Sequence, residues 1–78
     1  MRKYIRALES VKEHYARLEE AGMSAKSRYE VCAPLVEGIC KVSVYDNEIS
    51  REEFNGLQDI RTELIDMWRD AWAKEIGA

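Results

Sequence analysis

One proline, two cysteines and one histidine leave most site chemistries without their parts. With His14 the only imidazole, no serine or cysteine has a histidine at any motif spacing, so nucleophilic catalysis lacks its base. The four glycines, Gly22, Gly38, Gly56 and Gly77, stand apart, and no glycine-rich loop exists to cradle a phosphate. Cys32 and Cys40 make no CxxC pair, so a zinc site would have to gather both with His14 and an acid. On a helix, their eight-residue separation would hold the thiols ~12 Å apart, beyond disulfide reach. They read as buried free thiols of a reducing compartment. No run approaches the ~18 apolar residues of a membrane span, and the basic opening MRKYIRALES has no apolar stretch behind it. The expectation is a cytoplasmic protein, not an enzyme, with no cofactor and no metal.

Size and charge narrow the classes further. Seventy-eight residues make a single helical domain, 1–78, whose core is marginal unless something supplements it. With disulfide and metal set aside, oligomerisation is the supplement left. The net charge of −3 argues against direct nucleic-acid binding, because proteins that grip phosphates are usually basic.

One stretch resembles half of a calcium loop: DNEISREEF, residues 46–54. An EF-hand takes oxygen ligands at positions 1, 3, 5, 7, 9 and 12 of its loop. With Glu53 at the last position, Asp46 and Ser50 fall on ligand places, but the first two fall on Val42 and Val44. The cage has no first half. A helix start uses every residue: Ser50 as N-cap, Glu53 closing a capping box, and Ile49 with Phe54 as a hydrophobic staple. Asp46-Asn47 is the turn before it.

The periodicity predicts an all-α, compact three-helix bundle, with helices over about 2–20, 27–45 and 51–76. In the first, Tyr4, Leu8, Val11, Tyr15 and Leu18 repeat at 4-3-4-3 spacing, a narrow contact seam, and Gly22 ends it. Arg2, Lys3 and Arg6 crowd its start and Glu19 and Glu20 its end, against the macrodipole, so neighbouring helices are expected to supply compensating charge. In the second, Ser27 and Glu30 suggest a capping box, and an apolar arc of about half the circumference suggests packing on two sides. Pro34 predicts a kink or restart near Ala33. KVSVY at 41–45 has strand-like β-branching, but with no second strand to pair with it, helix is the expectation.

The third helix carries the functional signal. Leu57, Ile60, Leu64, Met67 and Ala71 form one apolar stripe; Phe54, Ile65, Trp68, Trp72 and Ile76 form a second. Two stripes imply either burial between both other helices or a face left for a partner. The surplus of Trp68, Trp72 and Ile76 near the C-terminus marks an interface, with the tryptophans as anchors. Arg61 lies between the stripes, where its stem snorkels, stacks on Trp68, or pairs with an acid to fix register across an interface. On the opposite face Glu52, Asp59, Glu63, Asp66 and Asp70 fall within about 60° of one another. The like-charge i,i+4 pairs 59/63 and 66/70 each cost a few tenths of a kcal/mol, which a mixed solvated face would avoid. The ridge runs ~27 Å along the helix and could imitate a row of phosphates.

Two functions are therefore expected. The first is an interaction protein whose acidic ridge binds a basic surface on a protein partner, inhibiting a nucleic-acid-binding protein. Small acidic helical proteins of that class, many phage-encoded, are similar in size and charge, a likeness that rests on no motif. The second is a homo-oligomer that buries its C-terminal aromatic face between copies, with a small-ligand site at the seam.

Overall fold

The computed structural model describes residues 3–77, which form α1 (Lys3–Glu20), α2 (Ala25–Val44) and α3 (Arg51–Glu75). Each helix packs on both others in a bundle 43 × 22 × 15 Å across. This is the all-α three-helix bundle that the periodicity predicts; Arg2, placed at the first helix start, lies outside the described residues.

The core is built from one narrow face of each helix. Leu8, Cys32, Leu57 and Leu64 expose nothing, and Ile5, Val11, Tyr15 and Val36 close around them. The α1 seam is wider than expected, since Ile5 joins it while Tyr4 and Leu18 lie at its margin. The cause is on α3. A Cβ on Gly56 would stand 2.8 Å from Ile5 Cδ1, so the glycine makes the room that Ile5 fills.

The helix ends follow local chemistry. Gly22, at φ 86°, stops α1; its amide bonds Glu19 O and the Met23 amide bonds Leu18 O, both at 3.0 Å. That pair of bonds is a Schellman stop. The α2 cap is Ser24, not Ser27: the Ser24 hydroxyl accepts from the Ser27 amide at 3.2 Å. The helix starts earlier because Ala25 is buried and its amide is held by the Glu75 carboxylate of α3. Nor does the chain restart at Pro34. The α-helix runs unbroken from Ala25 to Val44, taking in most of KVSVY, and the exposed Pro34 stands on its outer side.

Ser50 caps α3, accepting from the Glu53 amide at 3.0 Å. The expected reciprocal half of that box is not made. The buried Glu53 carboxylate turns to α1 instead, accepting from the Tyr4 amide at 2.9 Å and the Ile5 amide at 3.5 Å. Nor is Phe54 drawn inward: Ile49 packs on the core while Phe54 stays exposed.

These contacts resolve the reversed charges of α1. Glu53 and Asp46 bring negative charge to its basic N-terminus, Asp46 through Lys3 at 3.4 Å. Arg28 brings a cation to its C-terminal end, 3.7 Å from Glu19. Neighbouring segments supply the charge that the macrodipole requires.

Candidate functional site

The ridge is presented as the helical spacing requires. Glu52, Asp59, Glu63, Asp66 and Asp70 are all exposed on α3, with Glu63 reaching Lys12 of α1 and Glu52 and Asp59 beside Ile5. Among the described residues, Glu63 alone of the five has a cation within 4 Å, the Lys12 ammonium of α1. Glu52 and Asp59 flank a groove of about 500 Å³ beside Ile5 and Gly56. The like charges of the ridge are therefore left to solvent over most of their length, with one lysine opposing them midway.

The two tryptophans separate. Trp68 packs against the core, 5.1 Å edge-on to the Tyr29 ring and 6.5 Å from Tyr15, with its indole N–H buried and unpaired. Trp72, one turn on, is 48% exposed, and Ile76 beyond it is more so. Between α2 and α3, Tyr29, Ile65, Trp68 and Trp72 line an open apolar groove of about 490 Å³ whose rim is Lys26, Glu30 and Arg69. Trp68 belongs to the fold, whereas Trp72 stands at its surface.

Arg61 pairs within the bundle. Its guanidinium lies 3.3 Å from the Glu37 carboxylate across the α2–α3 groove, and its side chain remains 39% exposed. The acid it meets is on α2 of the same chain, whereas the expected ion pair is one that fixes register across an interface.

Arg28 is the residue that sequence reasoning missed. It is buried, with its guanidinium 5.0 Å from the Tyr15 ring centroid and one Nη donating to Met23 O. Its Nε and the Tyr15 hydroxyl are buried without partners. The signal lay in register: with Ser24 as cap, Arg28 shares the inward face with Cys32 and Val36, whereas a helix begun at Ser27 leaves it in the first turn. A cavity of about 590 Å³ opens beside it, walled by Glu19, Met23, Asp70, Lys74 and Glu75.

Two further features carry chemistry. Asp46 accepts a hydrogen bond from the Tyr4 hydroxyl, with Lys3 close by and the Glu48 amide at 2.9 Å. The Tyr4 bond above all, then the Glu48 amide, holds the Asp46 carboxyl below its usual value, and the same Asp46 bond raises the Tyr4 phenol. The free thiols of Cys32 and Cys40 are both pushed up by burial, which keeps them as neutral core groups. Among the described residues no three His, Cys, Asp or Glu side chains converge as metal ligands, and no helix is long and apolar enough to cross a membrane.

No family model matches the chain, and neither the curated proteins nor the solved structures contain a match to it.

Proposed function

We propose that this chain is a non-enzymatic interaction protein that docks the acidic edge of α3 on a basic surface of a protein partner. The observation that carries the reading is the row of exposed carboxylates from Glu52 to Asp70, four of the five with no cation within 4 Å among the described residues. A row of negative charge ~27 Å long, repeating each turn or two, resembles the phosphate row that a nucleic-acid-binding groove is built to take. The partner class is thus a protein that binds nucleic acid, and the effect of docking is to block its groove, as a nucleic-acid mimic. Charge complementarity of this kind supplies on-rate and partner choice more than raw affinity.

The test is affinity capture from the native host at low salt, with wild type beside Asp59→Lys/Asp66→Lys. This variant leaves Glu63 with Lys12 and turns the pairs 59/63, 63/66 and 66/70 from repulsive to attractive, so the helix is kept or slightly stabilised. Wild type should retain a basic nucleic-acid-binding protein that high salt releases, and the variant should not. Equal retention by both would make the ridge a solubility face.

The second reading, assembly of copies through the C-terminal aromatics, is favoured by the half-exposed Trp72 beside Tyr29 and Ile65. Trp72→Lys should then lower the assembly state and leave helix content intact.

A further inference from the structure

We propose that two copies of this chain pair antiparallel through α2, about a two-fold axis at Gly38. This goes beyond the ridge reading, does not rest on it and uses a different helix.

The inference starts from an apolar face that the bundle leaves uncovered. One arc of α2, with Cys32, Val36 and Ile39, faces the core. A second arc, about 110° round the helix, carries Val31, Leu35, Val42 and Tyr45. Their exposures are 41%, 47%, 58% and 76%. With Gly38 between them, the spacing is 4-3-4-3, the period of a two-stranded helical contact. Along one side of this face runs an open groove in which Tyr4, Ala7, Pro34, Gly38 and Val42 take part.

Gly38 is the second observation. It sits in mid-helix with φ outside the positive region, and nothing lies within 4 Å of where its Cβ would be. Neither a turn nor the packing of one copy requires glycine, although glycine is the poorest helix former after proline. Close approach of a second backbone does require it. The neighbouring Ala7, also small, lies in the same groove.

The occupant follows from self-complementarity. Counted from Gly38, Val31 and Tyr45 stand at −7 and +7, and Pro34 and Val42 at −4 and +4, so a two-fold at Gly38 sets apolar against apolar. Leu35 at −3 lies on the same edge of the helix as Val42 and stands one residue's rise from Val42 of the second copy. Charge selects the antiparallel sense. In that sense like edges of the two helices meet, and Lys41 comes within two residues' rise, ~3 Å along the axis, of Glu37 of the second copy. Among the described residues Lys41 has no ion-pair partner within its own chain. A parallel pair would set Lys3, on the α1 edge beside Val42, against Lys41 of the other copy. The face is ~21 Å long from Val31 to Tyr45 and about 20 Å wide with its α1 border, roughly half of a standard footprint per partner. The dimer is therefore weak and dependent on concentration.

The experiment is sedimentation equilibrium up to about 1 mM, the range in which a small contact shows, with circular dichroism to check that each variant keeps its helices. Wild type should pass from monomer to dimer, and Leu35→Lys/Val42→Lys, altered at exposed positions only, should stay monomeric with unchanged helix content. Lys41→Glu, at a residue with no ion pair of its own among the described residues, should weaken the dimer by about tenfold, since it sets a second carboxylate against Glu37 of the other copy. Trp72→Lys should dimerise as wild type does. A wild type monomeric throughout, a Leu35→Lys/Val42→Lys variant that still dimerises, a Lys41→Glu variant that dimerises as wild type does, or loss of the dimer in Trp72→Lys would each overturn the proposal.

Discussion

Glu53 shows how one side chain can be placed rightly and its partner wrongly. Its position three after Ser50 is a helix-start signal, and Ser50 does cap the helix. The carboxylate, however, is among the few charged groups in the core and satisfies the first amides of α1, a bond across 49 residues that no local pattern can announce. Replacing Glu53 with alanine should cost about 2–3 kcal/mol, because buried amides lose their acceptor. Glu53→Gln, which retains an acceptor oxygen, should cost less; urea melts of the two variants would order them. Glycines separate in the same way. Gly38 faces open space, so Gly38→Ala should stabilise dilute monomer by up to ~1 kcal/mol. Gly56→Ala should gain less than that, since Ile5 must shift to admit the methyl group. Thermal melts should resolve the difference, at about 4–8 °C per kcal/mol in a domain of this size.

At the scale of elements, the period of the apolar residues was enough to give three helices and their order, because each buries a single face. What it could not give was which of two serines begins α2. Ser24 and Ser27 are equal as caps by type, and the choice falls to Ala25 burying against the bundle and to Glu75 reaching its amide. The three residues thus added to the start of the helix set Arg28 beyond its first residues, on the buried face with Cys32 and Val36. The same continuity overrides Pro34, whose missing bond the packing of α2 on both neighbours outweighs. Pro34 is exposed and interior to a helix, so Pro34→Ala should raise stability by ~2–3 kcal/mol, seen as a higher denaturant midpoint. The ridge was legible in full, since exposure on a helix follows from spacing alone. Its one opposing charge, Lys12, was not, because that contact depends on how α1 lies against α3.

For the molecule as a whole, acid should act through the loop between α2 and α3. The Tyr4 bond holds the Asp46 carboxyl below its ordinary value of 3.8, so Asp46 binds its proton more readily in the unfolded chain. Its contribution is therefore complete above that value and is lost as pH falls through the lowered one. Asp46→Asn should flatten the acid limb of a stability profile recorded from about pH 6 to pH 2. A limb of unchanged steepness would assign acid sensitivity to other carboxylates. The exposed apolar face of α2 has its counterpart in the sequence as well. An arc of half the circumference implied two packed sides, and within one copy the bundle covers only part of it.

The two carboxylates that α3 lends, Glu53 to the first amides of α1 and Glu75 to that of α2, have a consequence for how the chain can be divided. A hairpin of α1 and α2 alone would present both helix beginnings without their acceptors and would lose Leu57 and Leu64 from its core. Two peptides cut in the loop near Asn47 should accordingly be largely unstructured apart and gain helicity together on mixing. Such a protein could be reconstituted from its halves, with α3 as the piece that switches the other on.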